Sequence, residues 1–240
     1  ALTPLPVYGS DELARLTESF NEMLKSLQES RERQSQLVAD AGHELKTPLT
    51  SLRTNIELLM MASKNPSDTI TPDDIADLEH DVMSQLEELT NLVTDLVDLA
   101  REDSQHSVVE PIDLGEILDG VIDRVRRRRL DIKFTFNLID WYLMGDQRGL
   151  SRAFLNVLDN AAKWSPENGT VTMTMQQIDD DRVEITVDDE GPGIPADERE
   201  LVFERFYRSV ESRAMPGSGL GLAIVKQVME SHGGLSLIHI

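Results

Sequence analysis

Two runs of apolar residues at helical spacing, joined by a short polar loop, leave this chain few ways to fold. In the first run Leu37, Ala41, Leu45, Leu49, Leu52, Ile56 and Leu59 recur every three or four residues, the period of one helix face. In the second, Ile75, Leu78, Val82, Leu86, Leu89, Val93, Leu96 and Ala100 do the same. The first helix is expected to end near Ser63, because Asn65, Pro66, Ser67, Asp68, Thr71 and Pro72 favour a loop. Thr71 is placed to cap the second helix, Pro72 suits its first position, and Asp73 and Asp74 suit its positive end. The pattern predicts an antiparallel helical hairpin. A hairpin alone buries too little apolar surface, so two copies are expected to pair as a four-helix bundle.

Upstream, Pro4, Pro6, Gly9 and Ser10 make residues 1–12 a connector. Asp11 is placed to cap a helix that starts at Glu12. Leu13, Leu16, Phe20, Met23 and Leu27 then follow the 3-4 spacing of a coiled-coil seam. That helix has no nearby partner in sequence, which favours a seam between subunits over packing within one domain. Ser30 and Gln34 weaken the seam further on.

The hairpin's first helix carries a chemically distinct string, Asp40-Ala41-Gly42-His43-Glu44-Leu45-Lys46-Thr47-Pro48-Leu49. His43 and Thr47 share a face, one turn apart. Glu44 is adjacent to the ring. Pro48 lacks an amide hydrogen and crowds the carbonyl four residues back, which predicts a bend just after the histidine.

A linker near Glu102–Pro111 leads to alternating elements. Helices are expected at Leu114–Val125, Gln147–Lys163 and Gly219–His232. Strands are expected at Ile132–Phe136, Trp141–Met144, Val171–Gln177 and Val183–Asp188. This mixture implies one sheet covered by helices. Asn156, Asn160 and Lys163 fall on one helical face, which is either a polar outer face or one where two amides and an ammonium hold phosphate oxygens and a hydrated magnesium ion. Asp189-Glu190-Gly191-Pro192-Gly193 follows a strand, where a carboxylate can accept from a base amino group. Gly217-Ser218-Gly219-Leu220-Gly221 opens the last helix, with bare amides for phosphate.

The formal net charge of −21 over 240 residues argues against a nucleic-acid surface. The exception is the basic run Arg124 and Arg126–Arg129, either a solvated helix end or a docking patch. There is no cysteine, so disulfide and thiol chemistry are excluded. No apolar run approaches the roughly 20 residues of a membrane span, and no signal peptide is visible.

The His43–Leu49 string resembles the H-box of sensor histidine kinases. Asn156–Pro166 resembles their N-box, Asp189–Ile194 their G1 box, Phe203–Arg208 their F-box and Gly217–Leu222 their G2 box. Gly9–Leu13 with Phe20–Leu24 resembles the second half of a HAMP linker. The resemblance implies an α+β chain: a dimeric four-helix bundle of helical hairpins, then a GHKL-type α/β sandwich that binds ATP. It implies a partial HAMP linker and signalling helix at 1–35, a dimerisation and phosphotransfer hairpin at 36–104, and an ATP-binding domain at 105–240. His43 would be the phosphoacceptor, Glu44 its base and Thr47 the positioner of a dephosphorylating water. Asn156, Asn160, Lys163, Gly191, Gly193, Gly217, Gly219 and Gly221 would line the ATP site, with Asn160 on magnesium and Asp189 on adenine. Trp164 would pack on adenine or fill the core. Arg205 and Arg208 would contact phosphate or serve the fold, and residues 209–216 would form a lid. The implied activity is autophosphorylation, transfer to an aspartate of a response regulator, and phosphatase action on that regulator. The implied setting is the cytoplasmic portion of a membrane sensor whose membrane segment is not in this sequence. The alternatives are an ATP-binding switch or a dimeric scaffold, neither transferring phosphate. Leu235–Ile240 alternates loosely like one strand, where the family continues its sheet; a strand or a reading-frame scar are the two readings.

Overall fold

The computed structural model describes residues 3–9, 11–64, 71–102, 108–209, 212, 215 and 217–238. The chain divides into two compact units, residues 1–91 and 92–240.

In the first unit, α1 spans Glu12–Lys64 and continues through Pro48. Asp11 caps it by accepting from the Ala14 amide at 3.1 Å. The connector is tied to this helix by one side chain. The Asn21 amide donates to the Leu5 carbonyl at 2.8 Å and accepts from the Leu5 N–H at 2.7 Å. The second helix, α2, spans Pro72–Glu102. Its start is a reciprocal cap: Thr71 Oγ1 accepts from the Asp74 amide at 3.2 Å, and Asp74 accepts from the Thr71 N–H at 2.8 Å. Hydrogen bonds from the Thr71 N–H and the Thr71 hydroxyl hold the Asp74 carboxyl below its ordinary value. Gln85 Nε2 donates to Ser51 Oγ at 3.1 Å, joining the two helices. Leu13, Leu16, Phe20, Met23 and Leu27 are 40–68% exposed within one chain, as an unpartnered seam must be. Most of the loop between α1 and α2 lies outside the described residues.

The second unit holds the C-terminal part of α2, then β1 (Glu110–Asp113), α3 (Leu114–Arg128), β2 (Lys133–Asn137), β3 (Tyr142–Gly145), α4 (Gln147–Trp164), β4 (Thr170–Gln177), β5 (Val183–Asp188) and α5 (Gly221–Ser231). A short 3-10 turn covers Leu201–Phe203. The strands form two sheets rather than the expected one. β1 pairs antiparallel with β3, and the order β2-β4-β5 makes the second sheet. Periodicity reveals which face of a strand is apolar, not which strand it joins. β1 also occupies part of the expected linker, because its four residues include Pro111 and give no alternation to read. β2 runs parallel to β4, with Lys133 opposite Thr170, and β5 returns antiparallel, with Asp188 opposite Thr172.

Val171, Met173 and Met175 alternate inward on β4 and are buried. α4 packs against the sheet and between α3 and α5. Leu118, Val121, Val125, Leu158, Met173, Leu220 and Val228 are fully buried, each contributing about 1.5–3 kcal/mol of apolar burial. Arg126 lies over the Phe136 ring at 5.0 Å, Arg128 pairs with Asp159 at 3.0 Å, and Arg129 pairs with Asp131 at 2.7 Å. Three of the five arginines of this run are therefore engaged within the second unit. Residues 235–238 form no strand; Ile240 and His239 lie outside the described residues.

Candidate functional site

The site is built on α4. Asp146 caps this helix by accepting from the Arg148 amide at 3.0 Å. Its own N–H donates to His232 Nε2 at 2.9 Å. With Nε2 accepting, Nδ1 carries the hydrogen and donates to the Val228 carbonyl at 2.7 Å. Residue 145 must be glycine for this: a Cβ there would sit 2.8 Å from the His232 ring.

From that fixed start, α4 presents Arg152, Asn156, Asn160 and Lys163 at spacings of four, four and three, along one face. Asn156 Nδ2 donates to the Gly221 carbonyl at 3.3 Å. A Cβ on Gly217 would lie 3.2 Å from Lys163 Nζ. The glycine loop therefore runs along the amide and ammonium face of α4. Lys163 Nζ also lies 5.5 Å from the centre of the half-buried Trp164 ring. Asp159, next to Asn160, faces the other way toward Arg128. Burial pushes its carboxyl up, against the pull of Arg128.

The Asp189 segment meets the same helix at its end. Asp189 Oδ1 accepts from the Gly191 N–H at 2.8 Å. A Cβ on Gly191 would lie 2.6 Å from Asp189 Oδ1 and 3.0 Å from the Trp164 carbonyl, so only glycine permits this turn. Gly193 stands at φ 73°. Gly219 stands at φ 70°, and a Cβ on it would lie 2.8 Å from the Tyr207 carbonyl. Phe206 itself has φ 63° and donates its N–H to the Gly219 carbonyl at 3.0 Å. Along α4, Asn156 thus meets Gly221, Lys163 meets Gly217 and Trp164 meets Gly191, while Gly219 packs on Phe206 and Tyr207. Arg205 is half-buried. The Arg208 guanidinium donates to the carbonyls of Ser212, at 2.5 Å, and Met215, which serves the fold of that loop. Much of the expected lid lies outside the described residues.

Sequence reasoning missed a second set. Asp95, on the C-terminal part of α2, is 7% exposed and pairs with Arg152. Its other oxygen accepts from the Ser218 hydroxyl at 3.2 Å. Only the position of Arg152, one turn before Asn156, signalled its place on the site face.

In the first unit, His43, Glu44 and Thr47 are exposed on α1. Thr47 joins Lys46, Thr50, Ser51, Thr54 and Asn55 in lining an open groove of about 500 Å³. Among the described residues no group of acidic and histidine side chains forms a metal cage.

Three family models match the chain. Residues 145–239 match the histidine kinase-, DNA gyrase B- and HSP90-like ATPase, residues 33–105 the His Kinase A phospho-acceptor domain, and residues 3–29 the HAMP domain. A solved mycobacterial sensor histidine kinase, MprB, is 57% identical, with 52% of this chain and 81% of that one aligned and a TM-score of 0.50. This chain belongs to the sensor histidine kinases. Among curated kinase relatives, the signal transduction histidine-protein kinase/phosphatase MprB of Mycolicibacterium paratuberculosis is 60% identical over 234 residues, 98% of this chain and 45% of the relative. The present kinase chain therefore spans under half the length of such relatives. A histidine kinase, ThkA, solved in complex with the response regulator TrrA, is 22% identical and shares the fold at a TM-score of 0.64, over 88% of this chain and 60% of that one. Among the described residues no helix is long and apolar enough to cross a membrane.

Proposed function

We propose that this chain phosphorylates itself on His43 with ATP and passes the phosphoryl group to an aspartate of a response regulator. The observation that carries the reading is the exposed His43-Glu44-Leu45-Lys46-Thr47-Pro48 string on α1, in a chain that also assembles an amide-, ammonium- and glycine-lined face along α4. A nucleotide switch would have no use for the first.

A neutral His43 nitrogen attacks the γ-phosphorus. The nitrogen–phosphorus bond forms as the bond to the β-bridging oxygen breaks, and ADP leaves with that electron pair. Glu44 takes up the proton from the other ring nitrogen. The two side chains are not hydrogen-bonded to each other here, so this contact is made in the reacting complex. Lys163, with Asn156 and the glycine-loop amides, offsets phosphate charge. Magnesium, held through Asn160, would supply further charge neutralisation. Asp189 reads the adenine amino group, and Trp164 lies beside it. Thr47 orients the water that dephosphorylates the regulator. The exposed seam of α1 and the apolar faces of the hairpin fit a homodimer. In the cell, the chain is the cytoplasmic portion of a membrane sensor, with boundaries at about 1–35, 36–104 and 105–240 for its linker, hairpin and ATP-binding domain.

Replacing His43 with Gln removes the nucleophile and leaves the ATP site untouched. Radiolabelled ATP is expected to leave no acid-labile, base-stable label on that variant, while ATP affinity stays within about twofold of the parent. Label persisting on the variant overturns the assignment.

A further inference from the structure

Asp95 is a carboxylate taken almost out of water, with 11% of its side chain exposed. Such a group needs partners, since an unpaired buried charge is strongly unfavourable. Its two oxygens go to two different parts of the second unit. Oδ1 takes the guanidinium of Arg152, on the site face of α4. Oδ2 takes the hydroxyl of Ser218, at 3.2 Å, in the middle of the glycine loop. Because that hydroxyl spends its hydrogen on Asp95, its oxygen lone pairs turn to the loop, where the Leu220 N–H donates to Ser218 Oγ at 3.3 Å. A continuous path of hydrogen bonds thus runs from α4 through Asp95 and Ser218 to the backbone at the head of α5.

Three more contacts fix the same loop. Asn156 holds the Gly221 carbonyl, Phe206 donates to the Gly219 carbonyl, and Lys163 borders Gly217. Gly217 and Gly219 both have positive φ, so the loop has little intrinsic preference for one shape. Its shape is set from outside. Asp95 is the only one of these anchors that belongs to α2 and not to the nucleotide-binding elements.

We infer that Asp95 is a positioning residue for nucleotide binding: through the Ser218 hydroxyl it holds the glycine loop in register with α4, so that the loop amides are arrayed for phosphate before ATP arrives. This rests on the assignment of the loop to phosphate made above. The ion pair with Arg152 neutralises the carboxylate, which would otherwise repel the phosphates. Preorganisation appears in affinity, because a loop already shaped loses less entropy on binding.

The test uses the whole 240-residue chain, titrated with a trinitrophenyl-labelled ATP analogue and magnesium, alongside autophosphorylation at varied ATP. Ser218→Ala leaves the Asp95–Arg152 pair in place and is expected to weaken analogue binding about fivefold, the worth of one hydrogen bond. KM for ATP is expected to rise by the same factor. Ser218→Thr keeps a hydroxyl and should return to within about twofold of the parent. Asp95→Asn should weaken binding similarly, and the Asp95→Asn/Ser218→Ala pair should be no worse than the weaker single variant, as expected of groups acting in series. Urea unfolding followed by tryptophan emission reports on folding of the second unit, because both tryptophans, Trp141 and Trp164, lie there. Unchanged affinity in Ser218→Ala, failure of Ser218→Thr to restore it, or additive losses in the pair each overturn the inference. Tighter binding by Asp95→Asn also overturns it and makes the carboxylate a competitor of phosphate. A parent chain that binds the analogue but acquires no label refutes the kinase reading alone, and one that binds nothing refutes both.

Discussion

The imidazole of His232 accepts a hydrogen bond from the backbone N–H of Asp146 at 2.9 Å, across 86 residues of sequence. Because Asp146 also caps α4, the residue that ends α5 fixes where the site helix begins. The ring fills the space that a side chain at position 145 would need.

His232→Phe keeps a ring of similar size and removes the acceptor. The Asp146 amide is then half-buried without a partner, a loss of about 1–3 kcal/mol. Gly145→Ala drives a methyl against the same ring and costs a similar amount, about 1–3 kcal/mol. Urea unfolding followed by tryptophan emission reads both. In a His232→Ala background the Gly145 substitution should become nearly silent; full additivity would contradict the shared packing.

Asp189→Asn separates a turn from a ligand contact. The amide oxygen still accepts from Gly191, so the turn and the urea midpoint are kept. The remaining atom changes from an acceptor to an N–H donor and faces the donor amino group of adenine. ATP affinity is expected to fall about ten- to hundredfold. An equal loss for ATP and GTP would show that the residue does not read the base.

Thr47→Ala removes a hydroxyl from the groove wall one turn beyond His43. Its proposed work is on a water, not on the imidazole. Dephosphorylation of a phosphorylated response regulator should fall at least tenfold, with autophosphorylation reduced less than threefold, roughly the range of one positioned hydrogen bond. Equal losses in both assays would remove Thr47 from the phosphatase step.

Two carboxylates of the second unit should respond to acid with opposite signs. Burial raises Asp159 above its ordinary value, with Arg128 opposing. A group raised in the folded state contributes stability that is fully present below its unfolded pKa, about 3.9, and lost as pH rises through the folded value. The side-chain hydrogen bond from Arg129 lowers Asp131. Its contribution is present above the unfolded pKa and lost as pH falls through the folded one. Relative to wild type, Asp159→Asn should therefore gain stability at neutral pH over its standing in acid. Asp131→Asn should do the reverse. Urea midpoints of the three chains between about pH 3 and pH 7 decide the signs.

The helical hairpin, the cap residues and the polar face of α4 were legible in the sequence because each is written at spacings of three and four. Asp11, Thr71 and the stripe Asn156, Asn160 and Lys163 needed no knowledge of the rest of the fold. Gly219 was legible as a loop glycine, but the reason for it, the Tyr207 carbonyl, was not. Long-range pairing left no local trace. Asp95 lies 57 residues from Arg152 and 123 from Ser218, and on its helix it reads as one more acidic residue of an acidic chain. The separate β1–β3 ladder was hidden for a similar reason: four residues with a proline carry no period. For Arg208 the sequence left phosphate contact and a structural role both open, and its guanidinium donates to the Ser212 and Met215 carbonyls.

The place of α4 between α3 and α5 has a consequence for synthesis. α3 precedes it in the chain, but α5 and the Gly217–Gly221 loop are made more than fifty residues later. A nascent chain leaving the ribosome therefore shows the Asn160 and Lys163 face long before anything exists to complete it. On the proposed reading, ATP binding waits for α5, while His43 on α1 is made long before it.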